Sequence, residues 1–97
     1  MRQPRIFVSN AIKDFIKSLP PSIKKKLKQA FIEISKDPDI GKHLIEDLDK
    51  YYSYRIGRIR IIYDMQKSIP TIQAIGPRKT IYRDFAIQIT KSKRHIN

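Results

Sequence analysis

The stretch Tyr51–Met65, YYSYRIGRIRIIYDM, constrains this chain more than any other, because it reads as a β-hairpin whose two faces carry opposite chemistry. Its turn is Gly57-Arg58, since glycine at the first central position suits a type II′ turn. That turn fixes the register. Ile56 pairs with Ile59, Arg55 with Arg60, Tyr54 with Ile61, Ser53 with Ile62 and Tyr52 with Tyr63. Successive side chains of a strand alternate between faces, so one face collects Tyr52, Tyr54, Ile56, Ile59, Ile61, Tyr63 and Met65, a core surface. The other collects Tyr51, Ser53, Arg55, Arg60, Ile62 and Asp64. Like charges directly opposed across a strand pair destabilise it, and the Arg55–Arg60 pair therefore has a cost that folding alone does not explain. A bound anion would relieve it. So would guanidiniums that fan into water or reach a carboxylate such as Asp64 or Glu46.

The chain's 97 residues are enough for one hydrophobic core and too few for two, so a single domain over residues 1–97 is expected. It has no cysteine, which excludes a disulfide framework and any thiolate metal site and fits a reducing cytoplasm. The opening residues MRQPRIFVSN contain no long apolar run, so neither a signal peptide nor a membrane span is expected, and a soluble, cytoplasmic protein is. Twenty-one Lys and Arg against nine Asp and Glu give a formal charge of +12. Such a field favours polyanions: nucleic acid, an anionic membrane face or an acidic protein. A membrane-surface helix needs an apolar face with no competing core, whereas the apolar faces here are wanted by the fold. Nucleic acid or an acidic partner is the expectation.

Upstream of the hairpin, Arg5–Val8 is a strand candidate, and Ser9 can cap a helix in which Ile12, Phe15, Ile16 and Leu19 share one face. Pro20-Pro21 stops it and starts a second helix carrying Ile23, Leu27, Ala30, Phe31 and Ile34, with Lys24, Lys25, Lys26 and Lys28 turned outward. The polar segment 37–50, which holds Asp39, Glu46, Asp47 and Asp49, reads as a loop with one helical turn around Leu44, Ile45 and Leu48. Downstream, Gln66-Lys67-Ser68 is a turn and Pro70–Ile75 a further strand, broken by Gly76-Pro77. From Arg78 the pattern turns helical, with Ile81, Phe85 and Ile89 in phase and Arg78 and Tyr82 sharing another face. The tail KSKRHIN reads as frayed and basic. The expected fold is α+β in the order β-α-α-β-β-β followed by a short C-terminal helix, with one antiparallel sheet packed on the helical hairpin.

Two spaced stretches, YSYRIGRIRIIYDM and IGPRKTIYRDF, together with LPPSIKKKLKQ before them, resemble the signature segments of the RelE/ParE toxin superfamily across nearly the whole chain. The resemblance implies a RelE-like β-α-α-β-β-β-α fold and the toxin of a type II toxin–antitoxin pair. RelE-type members are ribosome-dependent endoribonucleases that cut messenger RNA in the decoding site; ParE-type members share the fold and block DNA gyrase. It also implies roles for residues. Arg60 matches the phosphate-stabilising hairpin arginine, Arg55 a basic position on the preceding strand, Arg78 the arginine after the last strand and Tyr82 the catalytic aromatic; Arg60, Arg78 and Tyr82 are the expected catalytic residues, and Arg55, Arg58, Lys79 and Arg83 are expected to bind RNA. Ser53 stands where some members carry a lysine, and Pro77 where many carry histidine. The implied partners are an acidic antitoxin, which allows a toxin–antitoxin heterotetramer, and the ribosome with its message. The antitoxin would cover Arg60 or displace the helix starting near Ile81. No cofactor and no metal are implied.

The residues alone are consistent with such chemistry. RNA is cleaved without metal when its own 2′-hydroxyl attacks the adjacent phosphorus, and the enzyme then has to hold that geometry and neutralise the phosphorane. Guanidinium groups suit this because their fork matches phosphate oxygens and they stay charged. Proton transfer is harder to assign. His43 and His95 lie outside both motifs and read as surface residues. Tyrosine remains, although a free phenol titrates near ~10 and needs cations beside it to act near neutral pH. Other enzyme classes lack their residues: there is no Ser-His-Asp set, zinc spacing or phosphate-binding glycine loop. Two alternatives stay open, a gyrase-inhibiting toxin that cuts nothing and a basic nucleic-acid-binding domain with no activity.

Overall fold

Ser9 and the paired prolines set the entry into the fold. In the computed structural model, which describes residues 5–44 and 48–95, a short strand β1 (Phe7–Val8) leads into α1 (Asn10–Lys17), and the Ser9 side chain accepts the Ile12 amide at 3.3 Å. Pro20 and Pro21 then end one helix and open the next, α2 (Pro21–Lys36), because proline lacks only an N–H that the first turn leaves free. After α2 come β2 (Lys42–His43), β3 (Tyr52–Ile56), β4 (Ile59–Gln66), β5 (Ile69–Pro77) and α3 (Ile81–His95).

The hairpin forms with the register that its turn dictates, all five pairs from Tyr52–Tyr63 to Ile56–Ile59. Gly57 has φ +59 while Arg58 is not in the positive-φ region, as a II′ turn requires. The second hairpin turns at Lys67 and Ser68, φ 52 and 66, and joins β4 to β5. The five-stranded sheet runs β1-β5-β4-β3-β2.

Several sequence-based expectations are corrected. The sheet is mixed: β1 pairs parallel to β5, which it can do because long connections, including the helical hairpin, lie between them. The polar segment contains an edge strand, β2, rather than only loop; two exposed residues carry no alternation from which to read it. Of the expected helical turn there, Ile45 lies outside the described residues. Gly76-Pro77 does not break β5, because both residues stay in the ladder opposite Arg60 and Ile59. The prolines Pro70 and Pro77 sit near its two ends, where a missing donor matters least. The last helix starts at Ile81 and not Arg78, and at 15 residues it is not short; it takes in residues read as a frayed tail.

Both faces of the sheet are covered. On the first, Leu27, Ala30, Ile34, Ile61, Tyr63 and Ile72 form a core with α1 and α2, flanked by Tyr52, Tyr54, Ile56 and Ile59 as the alternation requires. On the second, Tyr51 and Ile62 meet Ile81 and Phe85 of α3. Gly76 lets α3 come this close, since a Cβ there would lie 2.8 Å from the Ile81 Cδ1. A bulge between the Ile62 and Tyr63 pairs skips Gln73, whose amide donates to the buried Asp64 carboxylate at 3.0 Å. No described helix is long and apolar enough to cross a membrane.

Candidate functional site

Three side chains from three elements meet on the second face. Ser53 of β3 and Arg60 of β4 both project there, because alternation sends the neighbours Tyr52 and Ile61 the other way. Tyr82 arrives from the first turn of α3. The Ser53 hydroxyl, 3 % exposed, lies 2.7 Å from the Tyr82 hydroxyl, with either able to donate, and accepts from Arg60 Nη1 at 3.2 Å. The guanidinium carbon of Arg60 sits 5.2 Å from the centre of the Tyr82 ring, a cation–π contact. Arg60 Nε is out of reach of solvent and has no acceptor among the described residues. A buried donor without a partner is expensive, and an oxyanion entering with some rearrangement would satisfy it.

This triad forms one wall of a pocket of about 370 Å³. Leu44 and Leu48 supply an apolar wall, and β2 supplies the rim through Lys42 and His43. The His43 ring lies 4.2 Å from the Tyr52 ring and its Nδ1 donates to the Asp49 carbonyl at 3.1 Å. Tyr52 in turn stacks on Tyr63 at 5.0 Å. His43 therefore belongs with the first face, while Lys42, opposite Ser53, belongs with the second.

The remaining sequence-predicted site residues lie elsewhere. Arg78 precedes α3, so it shares no helix face with Tyr82; its amide donates to the Arg58 carbonyl at 2.8 Å. Arg58, Arg78 and Lys79 line a separate basic depression of about 720 Å³ with Pro77. Arg55 is exposed at the hairpin end and its Nε donates to the Gly57 carbonyl at 3.1 Å. Arg83 is exposed, 3.9 Å from Asp84. The opposed arginines thus relieve their repulsion by diverging: one turns back on the turn and the other settles on Ser53 and Tyr82. Neither reaches Asp64, which is held by Gln66 and Gln73, and Glu46 lies outside the described residues.

Behind the site the sheet is held by tyrosines of the first face. The Tyr63 hydroxyl donates to the Pro38 carbonyl at 2.7 Å and accepts from the Gly41 amide at 2.9 Å, tying down the segment that leads into β2. Burial pushes its pKa up to about 12, against a smaller lowering by the Gly41 amide. Tyr54 donates to the Glu33 carboxylate of α2, and that bond, with burial, raises its pKa. The sequence marks Ser53 as a departure from the family pattern on the hairpin face of Arg60, and it gives Lys42 no role. The register already placed Ser53 beside Arg60, and that was the signal available for it; Lys42 needed β2.

The family model described as the ParE toxin of the type II toxin–antitoxin system parDE matches residues 8–82. No individual curated protein sequence matches the chain. Among solved structures, the fold is similar to that of the RelBE2 toxin–antitoxin complex from Mycobacterium tuberculosis, with 21% identity, 79% of this chain and 100% of that chain covered, and a TM-score of 0.68. It is also similar to the isolated Escherichia coli RelE toxin, with 15% identity, 90% and 99% coverage and a TM-score of 0.65. The archaeal RelE–RelB complex from Pyrococcus horikoshii aligns at 21% identity over 79% and 97% of the two chains, with a TM-score of 0.63.

Proposed function

The chain belongs to the ParE toxin family of type II toxin–antitoxin systems, within the RelE/ParE superfamily, and from that premise we propose that it is a ribosome-dependent endoribonuclease that cuts messenger RNA in the decoding site. The observation that carries this reading is the Arg60–Ser53–Tyr82 cluster: a guanidinium held beside two linked hydroxyls at the wall of an open pocket, with one of its donors lacking an acceptor among the described residues.

The chemistry needs no metal. The 2′-hydroxyl of the message loses its proton as its oxygen bonds to the adjacent phosphorus; the bond from phosphorus to the 5′-oxygen then breaks, and that oxygen takes up a proton. The products are a 2′,3′-cyclic phosphate and a 5′-hydroxyl. Arg60 neutralises the phosphorane oxygens, an electrostatic role that suits a guanidinium already held beside the pocket. Tyr82, its hydroxyl aimed by Ser53, gives its proton to the departing 5′-oxygen and is reprotonated from the water that takes up the 2′-hydroxyl proton. The ribosome supplies the in-line alignment of the message that this small site does not build. Arg58, Arg78 and Lys79, in their own depression, contact the strand away from the cut, together with Arg55 and Arg83. An acidic antitoxin holds the toxin inactive in the cytoplasm; structures of similar fold include toxin–antitoxin and RelE–RelB complexes, which supports such a partner, and a heterotetramer is the assembly proposed.

The test is in vitro translation with a labelled message, with and without ribosomes. Discrete cuts that need ribosomes are expected. Arg60→Ala should slow them about 100- to 1,000-fold, the usual loss for an oxyanion-stabilising donor, and Tyr82→Phe by about 100-fold or more. The matching family model, described by ParE, favours a second reading in which the toxin blocks gyrase and cuts nothing. An intact message with inhibited supercoiling would establish that one and sink the first.

A further inference from the structure

Arg60 has Nη1 committed to Ser53, and its buried Nε meets a phosphate only after some rearrangement, so the phosphorane has room for a further cation. The same pocket offers a second cation. Lys42 stands directly across the strand pair from Ser53, and cross-strand partners share a face. Its side chain therefore rises on the face of Arg60 and Tyr82, at the rim of the pocket they line. It is exposed, and the ion pairs found among the described residues, Lys17–Asp14 and Arg83–Asp84, do not engage it. The Tyr63 hydroxyl fixes the segment from Pro38 to Gly41 just ahead of it, so the flexible stem starts from an anchored backbone.

We infer that Lys42 is the second phosphate-contacting cation of this pocket, delivered from the edge strand β2 to the position beside Ser53. The inference rests on the nuclease reading for its catalytic part. A lysine ammonium is a compact charge on a flexible stem, suited to reaching in from a rim, whereas Arg60 is planar and pinned. In this division, Arg60 orients the phosphate and Lys42 adds charge as the phosphorane forms. Leu44 and Leu48 line the same pocket, and an apolar lining strengthens a charge contact made beside it.

The experiment uses the full chain in two arms. In the first, binding of a short RNA oligonucleotide with methylated 2′-hydroxyls is followed against salt; Lys42→Gln should weaken it and make the slope of log K on log salt shallower by about 0.7, the share of one phosphate contact on a single strand. In the second, ribosome-dependent cleavage by Lys42→Gln should fall about 10-fold or more in kcat with a smaller change in KM, Lys42→Arg should recover most of it, and Lys25→Gln on the outer side of α2 should cleave as the parent does. A variant Lys42→Gln that keeps the parent kcat and the parent salt slope overturns the inference and leaves the nuclease reading standing. A parent protein that leaves the message intact overturns the nuclease reading, and the salt slope alone then decides whether Lys42 meets phosphate.

Discussion

The two faces of this sheet are made by the same strands and are closed in different ways. The first lies under two helices, α1 and α2, and there Leu27, Ile34, Ile61 and Tyr63 are at 0% exposure. The second has one helix, α3, which covers Tyr51 and Ile62 with Ile81 and Phe85, with Leu44 and Leu48 packed beside them. Next to the first turn of that helix, Ser53, Arg60 and Tyr82 line an open pocket. A helix stripe is narrower than a five-stranded sheet, so one helix cannot seal such a face. The first face supplies stability and the second supplies a site, and the difference follows from how much helix each receives.

The comparison breaks most visibly at Leu27. Leu27→Ala removes a fully buried side chain from the sealed face and should cost about 3 kcal/mol, within the range for leucine truncation in packed cores. Denaturant midpoints measure it. At a temperature where both proteins are folded, the activity of the second face should be unchanged. A loss under about 1 kcal/mol, below that range, would show that the first face is not the tightly packed one.

A smaller effect is expected at Tyr63, whose hydroxyl links the two regions through the Pro38–Gly41 segment. Tyr63→Phe leaves a carbonyl and an amide without their partner and should destabilise by about 1 to 3 kcal/mol. It should also change the alkaline limb. The folded pKa is raised from 10.0 to about 12, so the folded state resists ionisation. Stability from this group is full below pH 10 and is lost as pH rises towards 12, by about 2 to 3 kcal/mol. Tyr54 acts in the same direction. Urea unfolding below pH 10 and near pH 12 should show a smaller alkaline loss in Tyr63→Phe than in the parent; an equal loss would place the titration elsewhere.

The first face was legible in the sequence and the second only in part. A glycine turn plus period-two alternation sufficed to assign Tyr52, Tyr54, Ile56, Ile59, Ile61 and Tyr63 to one side, because both signals are local. The second face depends on partners distant in sequence. Ile62 and Tyr51 gave no hint of α3, and Tyr82 came to the site through the family resemblance, not through a periodicity. The helical pattern suggested that Arg78 and Tyr82 shared a face; the turn at Arg78–Thr80, held by the Arg58 carbonyl, separates them. Lys42 was illegible because a two-residue edge strand takes its register from β3 and not from its own residues.

The smallest effect concerns the pair whose repulsion first marked the hairpin. Arg55 and Arg60 are still Cα partners, although one guanidinium turns to the Gly57 carbonyl and the other to Ser53 and Tyr82. Divergence weakens their repulsion without abolishing it. Arg55→Thr removes one charge and puts a strand-favouring residue in its place, so it should stabilise the protein by about 0.5 kcal/mol, read as a rise in denaturant midpoint that shrinks in high salt. Arg60 keeps both of its own contacts in this variant, and the pocket should be unaltered. A destabilised Arg55→Thr would mean that the bond to Gly57 outweighs the repulsion, and the hairpin end would then belong with the stabilising part of the molecule instead of the second face.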